Sequence, residues 1–256
     1  MTKIELKHVS KTIHKNEVLH DISFMMESGK IYGFQGVNGS GKTMLMRIII
    51  GLIHPTNGSV EINGKVLGRE LEFPESIGFL LENPAFLDRY SGYSNLKLLA
   101  EIQNNISDAE IKEVLSLVGL NEEASKKKYR KYSLGMKQRL GIAAAIMENP
   151  DIIILDEPTN ALDTAGVKLV KDILQKQKER GALCILSCHD LPVLESLSDE
   201  IIKLEEGKII EHISLSKAGG GLRILLSSMK WRNPVSNEGL NAVHISTCRL
   251  YKQSVS

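Results

Sequence analysis

The chain has 256 residues, a net charge of +1, and 42% hydrophobic beside 25% charged residues. This composition predicts a soluble globular protein with one large α/β domain, or one domain with an appendage, and gives no indication of a disordered chain. The longest apolar runs, residues 48–53 and 142–147, are far shorter than the roughly 18 residues that span a bilayer, which excludes a channel formed by this chain alone.

Strand patterns recur along the chain between turn signals. We expect strands at 3–9, 31–34, 60–62, 77–81, 152–155, 183–187, 200–204 and 208–211. Asn57-Gly58 and Asn63-Gly64 predict turns on either side of the third strand, which favours antiparallel pairing there. Residues 152–155 are continuously apolar, as is typical of a central parallel strand buried on both faces.

A phosphate-binding pattern, G-x-x-x-x-G-K-[ST], joins the second strand to a helical run at 44–52. Its residues are Gly36, Val37, Asn38, Gly39, Ser40, Gly41, Lys42 and Thr43. Glycines let successive backbone N–H groups turn inward, and the helix N-terminus adds partial positive charge toward an anion. We expect Lys42 to reach the β- and γ-phosphates of a nucleotide and the Thr43 hydroxyl to hold Mg²⁺. The segment therefore predicts nucleotide binding.

Helical periodicity dominates between about residues 84 and 149. Ser94 is expected to cap a first helix, and Ser107 with Glu110 predicts a capping box before a second. Gly119 is expected to end that second helix. The pattern predicts a helical subdomain of about 84–149, inserted into an α/β nucleotide-binding core.

Two carboxylates, Asp156 and Glu157, directly follow the apolar strand at 152–155. The carboxyl ends of strands are where α/β sheets place their ligand sites. Asp156 could orient Mg²⁺ through its water shell, and Glu157 could polarise the water that attacks a γ-phosphate. The alternative is that both carboxylates only cap the following turn.

These elements together resemble the ATP-binding subunits of ABC (ATP-binding cassette) transporters over about residues 3–212. The resemblance rests on five elements in order: the phosphate loop, Glu82, the stretch 132–139, Asp156-Glu157 and His189. It implies a P-loop NTPase (RecA-like) core with an antiparallel β subdomain and an inserted α-helical subdomain. It also implies hydrolysis of ATP with Mg²⁺, and a separate integral membrane permease as partner; we expect no binding of nucleic acid.

The stretch around Ser133 and Gly135 resembles the family's signature, usually Leu-Ser-Gly-Gly-Gln, although Leu134 and Met136 depart from it. A serine and a glycine at the start of a helix can present N–H donors to an anion, or the serine can be a simple cap without a ligand. In this family the phosphate loop and the signature of each site come from opposite protomers. The resemblance therefore implies an ATP-dependent dimer, either a homodimer or a pseudo-symmetric one.

His189 resembles the family's switch histidine, which contacts the γ-phosphate, and it follows the strand predicted at 183–187. A neutral imidazole can donate and accept hydrogen bonds, which suits a link between phosphate, water and Glu157. We therefore expect Glu157 and His189 to be catalytic.

Two further positions depart from the family pattern. Glu82 stands where most members carry glutamine; it keeps an oxygen for Mg²⁺ or water but adds a charge, so we expect it among the catalytic and metal-binding residues unless it is an ordinary surface residue. Together with 132–138, Glu82 resembles the bacitracin-resistance and lantibiotic-immunity exporters of Gram-positive bacteria. Ile13 lies near the position of the usual adenine-stacking aromatic residue and offers only apolar contact to the base.

These expectations predict an ATPase that powers export of an antimicrobial peptide or antibiotic from the inner face of the cell membrane. Residues 1–10 carry charges throughout, so we expect no signal peptide and a cytoplasmic location. One alternative is a soluble ABC ATPase in DNA repair or translation, but such proteins carry tandem cassettes or long coiled-coil insertions. Another is a nucleotide-binding regulator without turnover, which the intact Lys42, Asp156, Glu157 and His189 disfavour.

The predicted domain boundary lies after residue 215, with a C-terminal extension at 216–256. Residues 217–256 carry six basic residues and one acidic residue, unlike the rest of the chain, and Gly219-Gly220-Gly221 is typical of a flexible linker. Trp231 between Lys230 and Arg232 could favour an anionic membrane surface. We expect a partly ordered extension that is not essential.

Overall fold

A computed structural model describes residues 1–82, 84–103, 105–216 and 223–226. Its strands are β1 Lys3–Ile13, β2 Asn16–Glu27, β3 Ile31–Gln35, β4 Asn57–Ile62, β5 Lys65–Val66, β6 Ile77–Leu80, β7 Ile152–Leu155, β8 Leu183–Ser187, β9 Glu200–Glu205, β10 Lys208–Ser216 and β11 Arg223–Leu226. Its α-helices are α1 Lys42–Ile50, α2 Gly92–Gln103, α3 Asp108–Leu117, α4 Glu122–Lys126, α5 Leu134–Ile146, α6 Thr164–Glu179 and α7 Leu191–Leu197, and a 3₁₀ helix covers Tyr129–Lys131.

The strands form two sheets. One has four strands in the order β2-β1-β4-β5 and is antiparallel. The other has seven strands in the order β11-β10-β9-β3-β8-β7-β6, in which β9, β3, β8, β7 and β6 are parallel. The carboxyl ends of these parallel strands meet at one edge of the sheet, which is where ligand sites form in α/β proteins.

The central sheet is buried on both faces. Ile152 and Ile154 of β7 face a core shared with α1 and the antiparallel sheet, whereas Ile153 and Leu155 face a core shared with the other helices. This is why residues 152–155 read as a continuous apolar run. Helix α1, which begins at the phosphate loop, is thereby held in the core between the two sheets, and five of its apolar side chains are at most 1% exposed.

Helices α2 to α5 lie between β6 and β7 in sequence and form the predicted helical insertion. Ser107 makes the expected capping box with Glu110 before α3. The first helix is capped differently from the prediction. The Ser94 N–H donates to Ser91 Oγ over 3.0 Å, so Ser91 is the cap, because α2 begins at Gly92. In the described part of the chain, no helix is long and apolar enough to cross a membrane.

Two features of the antiparallel sheet differ from the sequence prediction. Asn57-Gly58 is not a turn but the start of β4; a side chain at Gly58 (φ +80°) would collide with the backbone of Lys7 and His8. Strand β2 was not predicted at all. Its pairing with β1 contains register shifts, and Asp21 within it has a φ of +47°, so the period-2 alternation that marks a strand is interrupted.

Strand β10 ends at Ser216, and β11 pairs with it antiparallel, with Ile213 opposite Leu226. The predicted linker at 219–221 and Trp231 lie outside the described residues. So does Asn83, the residue after Glu82.

Candidate functional site

The phosphate loop connects β3 to α1 at the carboxyl edge of the central sheet. Gly41 has a φ of +103°, and a Cβ there would lie 2.7 Å from Leu19 Cδ2, so only glycine fits. The hydroxyl of Ser40 is buried in this loop and has no hydrogen-bond partner within the described protein. A loop of this shape before a helix N-terminus, with an unpaired buried hydroxyl, fits the polyphosphate of a nucleotide.

Lys42 is held against the loop it belongs to. Its side chain is buried, and Nζ donates to the carbonyl oxygens of Gly36 (2.6 Å) and Val37 (3.1 Å). Burial lowers the pKa of Lys42 from its ordinary value, and the nearby carboxylates of Glu157 and Asp156 oppose that shift. The ammonium therefore lies where a phosphate chain entering the loop would meet it.

Asp156 and Thr43 form the oxygen-rich side of the site. Asp156 is 5% exposed, and its Oδ2 accepts a 2.7 Å hydrogen bond from Thr43 Oγ1, while its Oδ1 accepts from Ser187 Oγ. Among the described residues, no cluster of three or more His, Cys, Asp or Glu is placed to hold a metal. The adjacent oxygens of Thr43 and Asp156 fit Mg²⁺, which usually takes one or two protein oxygens and completes its shell with water and substrate phosphates.

Glu157 lies beside His189. Oε1 of Glu157 is 3.1 Å from His189 Nε2, and its Oε2 accepts from the His189 N–H at 3.3 Å. The backbone on either side is also held: the Glu157 N–H donates to Ser187 Oγ (2.9 Å), and its carbonyl accepts from Gln138 Nε2 (3.0 Å). A φ of +51° at Glu157 is sparsely populated for a residue other than glycine, which is common where a side chain is aimed at a reaction.

The environment of Glu157 favours its neutral form. Burial raises the pKa of Glu157 above its usual 4.5, and the negative charge of Asp156 adds to this, whereas His189 and Lys42 lower it. Raised carboxyl pKa values are typical of groups that take up a proton during catalysis.

Glu82 follows β6 at the same edge and has a φ of +56°. Its side chain is 61% exposed, so it is at the rim, and Oε1 lies 2.5 Å from Nη2 of Arg47 on α1. Sequence reasoning missed Arg47. The spacing of four residues from Thr43 puts Arg47 on the same face of α1, but nothing in the local sequence indicates that Glu82 is its partner.

One cavity of about 420 Å³ joins these groups. It is lined by Val18, Asn38, Gly39, Ser40, Gly41, Lys42, Thr43, Met44, Glu82, Gln138, Asp156, Glu157, Asn160 and His189. The structure thus brings together most of the sequence-predicted site. Val18, Met44, Gln138 and Asn160 are additional lining residues, and Val18 was missed because β2 itself was not predicted.

Five predicted site residues do not line this cavity. Gly36 and Val37 line a neighbouring cavity that His189 also borders, and their carbonyl oxygens accept from Lys42 Nζ. Ile13 lies at the end of β1, paired with Asn16 of β2, and the apolar lining residue nearest to it in sequence is Val18. Ser133 caps α5, accepting from the Met136 N–H at 3.2 Å, and Gly135 is in the first turn of that helix. In the single protomer, the capped end of α5 and the phosphate loop therefore do not share this cavity.

Residues 19–160 match the sequence model of the ABC transporter family. The chain belongs to this family. It is 47% identical to an uncharacterized ABC transporter ATP-binding protein, YybJ, of Bacillus subtilis, over 80% of this chain and 94% of the relative. It is 38% identical to the bacitracin transport ATP-binding protein BcrA of Enterococcus faecalis, over 84% and 70% of the two chains. It is 35% identical to the lantibiotic transport ATP-binding protein SrtF of Streptococcus pyogenes, over 81% and 89%.

The fold agrees with solved ABC cassettes. The dimeric structure of MJ0796, a bacterial ABC transporter cassette, has a TM-score of 0.75 and 25% identity, covering 83% of this chain and 99% of that one. The predicted P-loop NTPase fold and the resemblance to the bacitracin and lantibiotic group are both confirmed. The protein is an ABC ATPase that binds ATP.

Proposed function

We propose that this ABC ATPase hydrolyses ATP to power a separate membrane permease that exports an antimicrobial peptide or antibiotic of the bacitracin or lantibiotic type. The observation that carries the catalytic part is the contact between Glu157 and His189, 3.1 Å apart at the cavity that also holds Lys42 and Asp156. A nucleophile-activating carboxylate beside a phosphate cradle is the arrangement that hydrolysis of a γ-phosphate requires.

Each residue has a role that follows from its position. Lys42 would offset the negative charge of the β- and γ-phosphates, and the loop N–H groups would orient them. Glu157 would orient the attacking water and take up its proton, which its raised pKa favours. His189 would hold the Glu157 carboxylate in place and contact the γ-phosphate. Mg²⁺, when bound, supplies neutralisation of phosphate charge; Thr43 and Asp156 would hold it, with Glu82 at the rim as a further oxygen.

Ser133 and Gly135 would act on the site of a second protomer. Their helix, α5, begins with exposed Leu134 and a capped N-terminus, and neither residue lines the cavity of its own chain. A homodimer or a pseudo-symmetric dimer in the ATP state would place each capped end against the other subunit's phosphate loop. Loss of the γ-phosphate would weaken that dimer, because ATP contributes contacts to both protomers.

The transport part of the proposal is supported by relatives whose names refer to bacitracin and lantibiotic transport. We propose that the protein acts on the cytoplasmic side of the membrane, bound to an integral permease, and that it needs no nucleic acid. The segment that follows Glu82, up to about Leu96, would transmit the motion of the site to that permease.

The test is reconstitution with a candidate permease, a multi-span membrane protein chosen from the genes next to the gene of this protein. We expect copurification, release of phosphate from ATP, and protection of sensitive cells against bacitracin or a lantibiotic. Glu157→Gln should abolish phosphate release and protection but keep copurification. Phosphate release without copurification or protection would support a non-transport ABC ATPase instead. ATP binding without phosphate release would support a regulator and would contradict the roles of Glu157 and His189.

A further inference from the structure

The residues that line the cavity carry more negative than positive charge. Of its lining residues in the described chain, Glu82, Asp156 and Glu157 carry carboxylates, and Lys42 carries an ammonium. The substrate adds the negative charge of a triphosphate. A third carboxylate at this position would repel the substrate, since like charges near a phosphate site raise the free energy of binding.

Arg47 supplies the missing positive charge. It lies on α1 four residues after Thr43, and its Nη2 is 2.5 Å from Oε1 of Glu82. The side chain of Arg47 is 34% exposed and that of Glu82 is 61% exposed, so the pair is in contact with solvent. Glu82 lines the cavity, whereas Arg47 is not among its lining residues and meets the site through Glu82. An exposed pair of this kind contributes little to folding, so a role in folding alone is a weak explanation for it.

The contact with Arg47 also fixes the position of the Glu82 carboxylate. Glu82 has a φ of +56°, a conformation that residues other than glycine rarely adopt, and its carboxylate is held by the 2.5 Å contact with Arg47. Arg47 therefore determines where the Glu82 carboxylate lies as well as how much of its charge the substrate meets.

We infer that Arg47 is a positioning residue for ATP binding in this protein: it neutralises and orients Glu82, so that a glutamate can occupy the rim of a triphosphate site. The inference rests on the proposed ATP site. The role of Arg47 depends on the residue at position 82. Arg47 is needed when residue 82 is a glutamate, and it becomes dispensable when residue 82 is a glutamine, which keeps an oxygen ligand without the charge.

The experiment is a double-mutant cycle of wild type, Arg47→Ala, Glu82→Gln and the double variant, measured by the KM for ATP·Mg²⁺, by kcat and by the Kd of ATP. We expect Arg47→Ala to raise the KM and Kd roughly fivefold, with a smaller change in kcat, because one charge near the substrate is lost. In the Glu82→Gln background the same change should shift KM less than about twofold. Arg47→Lys should restore part of the affinity, since it keeps the charge but not the planar fork.

The dependence of the KM on ionic strength distinguishes an electrostatic role of Arg47 from a purely structural one. The KM increase in Arg47→Ala should shrink as salt rises, because the repulsion is screened at the solvent-exposed rim. Lys65→Ala is the matched control, since Lys65 makes an exposed ion pair with Glu75 at 3.1 Å away from the cavity; it should leave KM, kcat and their salt dependence unchanged.

An Arg47→Ala effect of equal size in both backgrounds would overturn the inference, as would a loss confined to thermal stability. Failure of the ATP site itself would look different. In that case wild type would neither bind nor hydrolyse ATP, and the four proteins of the cycle would not differ in KM, kcat or Kd.

Discussion

Glu157 and His189 follow two adjacent strands of the central sheet, β7 and β8, and their side chains meet at 3.1 Å between Oε1 and Nε2. Ser187, the last residue of β8, accepts from the Glu157 N–H and donates to Asp156, which joins the ends of the two strands. Strand pairing thus sets the geometry of the acidic pair and the histidine, because a shift of register would separate them. This relationship leads to the first three predictions.

Glu157→Gln should bind ATP but lower kcat by about 100-fold or more, because the amide cannot take up the proton of the attacking water. A dimer should accumulate with ATP, since the γ-phosphate is not removed. Phosphate release and size-exclusion chromatography measure both effects. If this variant hydrolyses ATP at the wild-type rate, the proposed role of Glu157 is wrong.

His189→Ala should lower kcat by roughly tenfold or more with little change in the Kd of ATP, because the Glu157 carboxylate loses its partner. His54→Ala serves as the control, since His54 is exposed and does not line the cavity. Equal kinetics for both variants would contradict the proposed role of His189.

The pH dependence of stability should differ between wild type and Glu157→Gln. Burial raises the folded-state pKa of Glu157 above 4.5, so the charged carboxylate destabilises the fold fully above that raised pKa and not at all below the unfolded value. We therefore expect Glu157→Gln to raise Tm near neutral pH, and the gain to shrink as pH falls toward 4.5. A gain in Tm that grows on acidification would mean that the pKa is depressed. In kinetics, the same shift places the acidic limb of kcat/KM above pH 4.5.

Tyr129 joins the segment after Glu82 to the helical insertion. Its hydroxyl donates to the Pro84 carbonyl at 2.5 Å, and its ring packs against Phe86 with centroids 5.4 Å apart. Tyr129→Phe should cost about 1 kcal/mol and increase amide hydrogen exchange in residues 84–90, because the part-buried Pro84 carbonyl loses its donor.

Tyr132→Phe is the matched control for Tyr129→Phe. The Tyr132 hydroxyl donates to Ala124, which lies within the helical insertion itself. A similar loss of stability is expected, but without faster exchange in 84–90. The same exchange pattern in both variants would show that Tyr129 does not restrain this segment specifically.

Removal of residues 217–256 takes away β11, an edge strand that pairs only with β10, and should leave folding and ATP hydrolysis intact because β1 to β10 and all the helices remain. A cut before β10 is the contrasting variant: it also removes Leu215, which is 6% exposed in the core, and should unfold the protein. Thermal melts and phosphate release measure both. Loss of turnover in the shorter deletion would make the extension an essential part of the protein.

Local interactions account for what could be predicted from sequence. The phosphate loop, the capping box of Ser107 and the apolar run at 152–155 each depend on neighbours within a few residues, and the structure contains all three. Strand β2 was missed because bulges interrupt its alternation, and the cap of α2 was displaced from Ser94 to Ser91 since both serines suit that role.

The sequence by itself determined the family and the P-loop fold and indicated the proposed catalytic groups, since these depend on residue types at short, ordered spacings. Only the tertiary structure decided which groups meet: Thr43 with Asp156, Glu157 with His189, and Arg47 with Glu82, which are 113, 32 and 35 residues apart. Such contacts depend on strand order and on the placement of α1 between two sheets. No local pattern encodes them, because each of these groups could pair with many others of suitable charge or hydrogen-bonding capacity.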